Sequence, residues 1–457
     1  EGGLANTILG WMGVPASYQP RWFGDPSWVI PAFVIMGLQG AFGNNMVIFL
    51  ARLKGIDVQL HESAALDGAG TWKRFVHITL PQLSPIVFYH VVMGIIGSLQ
   101  IFTQPMFVET PGRSGLFYAP YVYRTGLQEY RMGYACALSW VLFAALMLIT
   151  LIVFRSSRRW VSYEQSEHLA RTSSPVTTPT GWRRRLWYAV VVAGALVMLV
   201  PMLWMVATSL KSSESVQRVP PEVLSFSLNW SNYAEAWTAL PVSFTRFLLN
   251  TLFVTALAVF AQVFVSTLVA YGFARFRFPG RRILFAVLLS TLMIPGVVMM
   301  IPVFLIWKKL GLVGTFDPLV LGSMLGGSAL MVFIAHQFFK TLPRELEEAA
   351  RLDGASHGRI FLQIILPVAR GVFLVLVLIA FQTHWNDFLG PLLYLNRLEQ
   401  YTMTLGLHFF QGYEMGEGPK WNYMMAITTL MAVPTVVIFA LTQATFFEAL
   451  RRRTTLG

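Results

Sequence analysis

The sequence is short of charged residues. Lys and Arg number 34 and Asp and Glu 22, so that 12% of its 457 residues are charged, whereas soluble domains carry roughly 25%. Hydrophobic residues make up 55% of the chain and the mean hydropathy is +0.58. So little charge cannot cover so large an apolar surface in water. The composition therefore excludes a disordered chain and argues against a cytosolic enzyme.

Cysteine and the usual catalytic motifs are also scarce. Cys136 is the single cysteine, and because it lies in an apolar stretch we interpret it as a packing residue. The sequence contains no G-x-x-x-x-G-K-[ST] phosphate-binding loop and no evident nucleophile–base arrangement. His90, His336 and His408 do not have the spacing of metal ligands. We therefore predict no catalytic site, metal or cofactor within this chain.

Long hydrophobic runs are abundant instead. A helix needs about 20 apolar residues to cross a bilayer, and nine segments reach this length. Eight of them contain no Asp, Glu, Lys or Arg, and the ninth contains only Asp387. Because a large soluble protein would not contain nine such runs, we predict an all-α integral membrane protein, a polytopic bundle of nine spans. The spans are 28–51, 85–108, 132–154, 186–210, 247–274, 283–307, 318–339, 371–395 and 423–447.

The net charge of +12 falls mainly on alternate loops. One set of five loops holds 23 basic residues in 113 positions, whereas the other five hold 11 in 123. Cytoplasmic loops carry an excess of Lys and Arg, so we expect the first set to be cytoplasmic. This spread over short loops argues against nucleic-acid binding. The cytoplasmic set is 52–84, 155–185, 275–282, 340–370 and 448–457.

Two of these loops repeat one pattern at an offset of 286 residues. We name them the first repeat loop (52–84) and the second repeat loop (340–370). The first contains Glu-Ser-Ala-Ala-Leu-Asp-Gly-Ala from Glu62 and the second Glu-Ala-Ala-Arg-Leu-Asp-Gly-Ala from Glu348. In each, Ile-x-Leu-Pro follows with the same spacing. Coincidence does not explain so long a match.

The repeated pattern predicts a helix–turn–helix at the cytoplasmic face. Helix formers come first, and glycine after aspartate then permits the positive φ that a sharp bend needs. Pro81 and Pro367 suit the first turn of the following spanning helix, where a missing N–H costs nothing. The small residues of each loop allow close approach of another surface. We therefore interpret each repeat loop as a docking element.

These residues carry a family resemblance. The pattern E-A-A, three residues, G, nine residues, I-x-L-P (the EAA motif) resembles the signature of the membrane subunits of binding-protein-dependent ABC importers. The second repeat loop matches every position, and the first has Ser63 where alanine is usual. Further matches are similar to the carbohydrate-uptake branch, the maltose and glycerol-phosphate permeases. They are Leu342-Pro343, Tyr271-Gly272-Phe273-Ala274-Arg275 and Trp385-Asn386-Asp387-Phe388-Leu389.

The resemblance also implies a domain organisation, that of a fused permease. Residues 181–457 resemble a complete second permease domain of six spans, and residues 1–165 resemble the C-terminal part of a first permease domain with three spans. Residues 155–185 would be a cytoplasmic linker. Shifted by the same offset, the first domain would start about 100 residues before residue 1. We therefore expect the chain to be N-terminally incomplete.

The function implied by the resemblance is that of the permease component of an ATP-driven importer in the inner membrane. The solute would be a sugar or a related polyol or glycerol-phosphate. Two nucleotide-binding ATPase subunits, which use ATP and Mg²⁺, would dock on coupling helices in the repeat loops, and an extracytoplasmic solute-binding protein would deliver the small-molecule solute. The implied ATPase-coupling residues are Glu62, Ala64, Ala65, Asp67, Gly68, Glu348, Ala349, Ala350, Asp353 and Gly354.

Polar residues within the spans are candidates for the solute path because they are costly in lipid. Sugars bind through hydrogen bonds and aromatic faces, which favours Tyr89, Gln100, Gln104 and Asn386. Interhelical hydrogen bonding is the competing role, and it is the one we favour for any single polar residue in a span. A membrane scaffold and an ion-coupled secondary transporter are the alternative functions. The latter needs titratable residues in its spans, where only Asp387 is available.

Overall fold

The computed structural model describes residues 4–53, 56, 58–157, 159–161, 181–217, 228–294, 296–325, 327–411 and 419–452, which form helices and connecting turns without β-strands. Most of the predicted linker lies outside the described residues. In the N-terminal part the α-helices are Leu4–Trp11, Pro26–Leu53, Val58–Leu66, Thr71–Arg74, Leu80–Leu99, Thr103–Phe107, Tyr118–Tyr123 and Met132–Ser157.

The C-terminal part begins with a long helix and ends with another. Its α-helices are Trp182–Ser209, Ser213–Gln217, Ser231–Thr238, Phe244–Arg275, Arg281–Ser290, Gly296–Lys309, Asp317–Met324, Ala329–Thr341, Glu345–Leu352, His357–Ile360, Leu366–Val368, Arg370–Trp385, Leu389–Tyr394, Met403–Leu407 and Trp421–Arg452. Single π-helical turns occur at Phe75–Thr79, Arg124–Gln128 and Phe361–Ile365.

Seven helical segments of the described chain are long and apolar enough to cross a membrane. An eighth span results if His357–Val368 and Arg370–Trp385, which meet at a bend of 84°, count as one. The prediction of an all-α polytopic membrane protein is confirmed, whereas the described residues do not reach the predicted count of nine. The seven are Pro26–Gly43, Thr71–Phe107, Met132–Ser157, Arg184–Ser209, Phe244–Arg275, Asp317–Thr341 and Trp421–Thr442.

The predicted span 283–307 is absent from these segments even when the bent pair is counted as one span. It consists of two shorter helices, Arg281–Ser290 and Gly296–Lys309, separated by a 3₁₀ turn and by Ile294 in an extended conformation. Ile294 precedes a proline in the sequence, and a residue before proline disfavours the α conformation. Hydropathy averaged over the whole segment does not detect such a break.

Helix Phe244–Arg275 is the centre of the C-terminal part. It packs against Asp317–Met324, Ala329–Thr341, Arg370–Trp385 and Met403–Leu407. Small residues line its buried side, which lets neighbouring backbones approach closely. These residues are Ala258, Ala261, Ser266, Thr267, Ala270 and Ala274.

The N-terminal and C-terminal parts share one buried hydrophobic cluster. Val122 and Ala135 of the N-terminal part pack in it with Ile301, Leu319 and Phe388 of the C-terminal part. Helix Met132–Ser157 accordingly lies against Gly296–Lys309. The two parts of the described chain therefore form a common core.

We predict that Gly406→Ala destabilises this fold. A Cβ atom at Gly406 would lie 2.6 Å from Cδ2 of Phe247 and 3.3 Å from Cε1 of Phe244, and both rings are fully buried. Overpacking of this kind costs about 1–3 kcal/mol, so the midpoint of thermal unfolding in detergent should fall. Gly322→Ala is the control, because no atom lies within 4 Å of its new Cβ. Equal midpoints for the two variants would contradict the prediction.

Candidate functional site

The two repeat loops adopt the same backbone turn. In the first, helix Val58–Leu66 is followed by a turn at Gly68, which has φ +75. In the second, helix Glu345–Leu352 is followed by a turn at Gly354, which has φ +78. The predicted helix and bend are present in both loops. Only glycine adopts such a φ without strain, which explains the repeated Asp-Gly.

Hydrogen bonds at the two turns match as well. The backbone N–H of Ala69 donates to the carbonyl of Ala64 over 2.8 Å, and that of Ala355 donates to Ala350 over 2.9 Å. The N–H groups of Gly68 and Gly354 each donate to the carbonyl three residues earlier. This is the Schellman arrangement, which satisfies the last carbonyls of a helix. The turn is thus fixed by local sequence and recurs wherever that sequence recurs.

Each turn presents an exposed leucine that the sequence analysis did not single out. Leu66 is 90% exposed and Leu352 is 89% exposed, and the two occupy equivalent positions of the repeat. A signal was available, because leucine occurs at the same position of the two repeated patterns, directly before Asp-Gly. Leu66 lies four residues after Glu62, and Leu352 four residues after Glu348, so that each pair shares one helix face.

Most of the predicted coupling residues surround these leucines at the surface. There are two exceptions. Ala350 is buried in the cluster that also contains Ala274 and Phe361, and Ala64 is half-buried. Ala350 therefore attaches its helix to the protein and does not offer a surface to a partner. The exposed residues are Glu62, Ala65, Asp67, Gly68, Glu348, Ala349, Asp353 and Gly354.

A buried ion pair attaches the second repeat loop to the core. Arg275 Nε lies 2.7 Å from Glu347 Oε1, and the two side chains are 4% and 6% exposed. Arg275 Nη2 also donates to the carbonyl of Leu342 over 2.9 Å. Sequence reasoning missed Glu347, since the repeated pattern starts one residue later at Glu348.

The first repeat loop has different surroundings. His61 stands where the second loop has Glu347, and its carbonyl accepts a hydrogen bond from Arg74 Nη1 over 3.5 Å. Phe75 is 43% exposed and stacks on the exposed ring of Trp72, whereas its counterpart Phe361 is 4% exposed. Within the described residues the two loops thus share their turn and their tip.

The residues predicted for the solute path do not form one site. Gln100 Nε2 donates to the carbonyl of Ile96 over 3.1 Å, and Asn386 Nδ2 donates to that of Gln382 over 3.0 Å, each four residues earlier in the chain. Tyr89 and Gln104 are exposed in the described structure. No described contact joins the four.

A cavity of about 880 Å³ is lined by residues of both the N-terminal and the C-terminal parts. It is mainly apolar, with the carboxylate of Glu109, the amide of Gln411 and the indole of Trp421 in its wall. An aromatic face beside a few polar groups can hold a polyhydroxylated molecule. The sequence analysis missed this cavity because its walls come from segments about 300 residues apart. The remaining lining residues are Phe23, Met106, Phe107, Val108, Pro419, Met424 and Met425.

Similar proteins are known for most of the chain. The diacetylchitobiose uptake system permease protein NgcG of Streptomyces coelicolor is 30% identical over 263 residues, which cover 56% of this chain and 83% of the relative. The sn-glycerol-3-phosphate transport system permease protein UgpE of Agrobacterium fabrum is 33% identical over 273 residues, which cover 58% and 95%.

A solved structure shows the same fold. A chain of a bacterial ABC transporter involved in the import of the acidic polysaccharide alginate aligns with a TM-score of 0.50 and 22% identity. The alignment covers 60% of this chain and all of that chain.

The family profile described as "Binding-protein-dependent transport system inner membrane component" matches in two segments, residues 5–161 and 262–452. Each segment contains one repeat loop. Such membership implies a solute-binding protein and an ATPase as partners, and a multi-pass location in the inner membrane. The chain therefore belongs to the inner membrane components of binding-protein-dependent transport systems, the permease subunits of ABC importers.

Proposed function

We propose that this permease imports a sugar or a related polyol or glycerol-phosphate solute, and that two ATPase subunits dock on its two repeat loops. The relatives support the solute class, because their names specify uptake of diacetylchitobiose and of sn-glycerol-3-phosphate. The excess of Lys and Arg in the loop set that contains both repeat loops supports a cytoplasmic location for the loops and for the C-terminus.

The observation that carries the docking proposal is the pair of exposed leucines. Burial of an exposed leucine side chain releases about 1.5–3 kcal/mol. Here a leucine is exposed at the same position in both copies of the pattern, which lie 286 residues apart. A partner groove that accepts Leu66 and Leu352 would recover that energy. Glu62 and Glu348 on the same helix faces would then pair with basic groups of the ATPase.

Docking at two loops provides a mechanism for transport. Closure of two ATPases on ATP and Mg²⁺ would draw the repeat loops together, and the permease would rock from an inward-facing to an outward-facing arrangement. The solute-binding protein would release its solute at the outer face. The cavity that contains Glu109 and Trp421 lies beside loops expected at that face, so we place the first contact of the solute there.

Uptake should require ATP. With the permease, its ATPase subunits and its binding protein in proteoliposomes, we expect labelled diacetylchitobiose or glycerol-3-phosphate to accumulate only when ATP is supplied to the ATPase side. Accumulation driven by an ion gradient without ATP would contradict the importer mechanism and favour a secondary transporter. ATP-driven transport of neither solute class would contradict the proposed solute.

Truncating an exposed leucine should weaken docking. Leu352→Ala removes most of an apolar contact worth about 1.5–3 kcal/mol, which corresponds to roughly 10- to 150-fold in the dissociation constant of the ATPase subunit. This constant is measured by titrating the ATPase onto permease in nanodiscs. Leu346→Ala is the control, because Leu346 is less exposed and six residues away on another face of the same helix. Equal affinities for both variants would contradict docking through Leu352.

A bulky residue at the bend should uncouple the second loop. Gly354→Val forces a β-branched residue to φ +78, although no atom lies within 4 Å of the new Cβ. The cost therefore falls on the backbone turn and not on the core. We expect a normally inserted protein whose ATP-driven uptake is lost. Gly358→Val is the control, since Gly358 has an ordinary helical φ and equal free space; wild-type uptake by the Gly354 variant would refute the assignment.

A further inference from the structure

We infer that the buried ion pair between Arg275 and Glu347 is a positioning link, through which movement of the second repeat loop reaches helix Phe244–Arg275. The inference rests on the proposed function, because it assumes that an ATPase moves this loop. It adds two residues that touch neither solute nor ATPase in the proposal. Their role is to make the loop and a spanning helix move as one body.

The geometry of the pair suits a rigid connection. Arg275 is the last residue of its helix, and its guanidinium contacts both the Glu347 carboxylate and the backbone carbonyl of Leu342. One side chain thus holds the start of the loop and the first turn of its helix. The bond from Nη2 to Leu342 is a charge-assisted hydrogen bond, which is strong and directional, whereas Nε and Oε1 attract each other as an ion pair without hydrogen-bond alignment. The near-complete burial of both side chains keeps water from competing with this attraction. The half-exposed Arg351 is a second cationic neighbour, because its Nη2 lies 3.8 Å from Oε2 of Glu347.

Apolar contacts beside the pair complete the attachment. The ring of Tyr271, one turn before Arg275, lies 5.1 Å from the ring of Phe361 on the far side of the Gly354 bend. Ala350 is buried in the same cluster as Ala274. The loop therefore contacts helix Phe244–Arg275 on both sides of its turn. A displacement of the exposed tip would reach this helix as well as helices Ala329–Thr341 and Arg370–Trp385, which flank the loop in the chain.

The helix that receives the movement is well placed to distribute it. Phe244–Arg275 packs against Asp317–Met324, Ala329–Thr341 and Arg370–Trp385, among other helices of the C-terminal part. In the first repeat loop His61 stands at the position of Glu347, so the carboxylate of the link belongs to the second loop.

The test uses the complete importer with Glu347→Gln or Arg275→Gln in the permease. Glu347→Gln leaves the buried Arg275 guanidinium without its carboxylate, and Arg275→Gln leaves Glu347 with only the more distant and half-exposed Arg351. We expect the ATPase subunits still to co-purify with each variant, while solute uptake per ATP hydrolysed falls about 5-fold or more, the lower end of typical coupling between sites. The charge swap, Arg275→Glu with Glu347→Arg, should restore at least half of the lost ratio.

Controls separate this role from simple stability. Glu345→Gln changes an exposed carboxylate on the same helix and should leave the ratio at the wild-type value. An unchanged ratio in both single variants would overturn the inference while the wild-type importer still shows ATP-driven uptake. If the single variants do not insert, the charge swap decides: recovery of insertion without recovery of the ratio would overturn the link. Absence of ATP-driven uptake by the wild type would instead overturn the proposed function.

Discussion

The structure depends on one constraint, which is that a chain in hydrocarbon must satisfy its backbone polar groups internally. Continuous helices meet it automatically, but several segments of the C-terminal part are not continuous. Two of their backbone N–H groups are paired by side chains of helix Phe244–Arg275. Ser266 Oγ accepts from the backbone N–H of Ser328 over 2.9 Å, and Thr251 Oγ1 accepts from that of Met403 over 2.9 Å. Irregular backbone is thus tolerated where this helix can pair it.

The amide of Asn250 extends the same principle toward the expected outer face. Its Nδ2 donates to the carbonyls of Glu399 and Tyr401 over 2.8 and 3.0 Å. At mid-helix, His384 and Gln262 are joined by a hydrogen bond of 3.0 Å between Nε2 and Oε1. Polar residues in the spans therefore act here as interhelical bonds, the role that competes with solute binding in any interpretation of such residues. The same helix ends at Arg275, so it connects the paired irregular segments with the second repeat loop.

Sequence reasoning predicted what depends on composition and on short-range pattern. The scarcity of charge identified a membrane protein, and the Asp-Gly of each repeat gave the position of the Gly68 and Gly354 turns. It did not find the interruption at Ile294. The helical hydrogen bonds are broken there, but the side chains on both sides of the break are equally apolar, so the hydropathy of the segment gives no sign of it. It also assigned Ala350 to a partner surface. Whether an alanine faces outward depends on the helix against which it packs, and that helix lies about 80 residues earlier in the chain.

The same division between local and distant causes separates the tip of a repeat loop from its attachment. The tip, formed by the Schellman turn with Leu66 or Leu352 beside it, is determined by eight consecutive residues and recurs whenever they recur. The attachment of the second loop is determined by Arg275 and its pairing with Glu347, which are 72 positions apart. In the proposed mechanism a partner would recognise two equivalent tips, and the attachment would carry the movement of the second loop to helix Phe244–Arg275. The short repeat thus accounts for the exposed tip, whereas a contact between distant positions accounts for its link to the membrane.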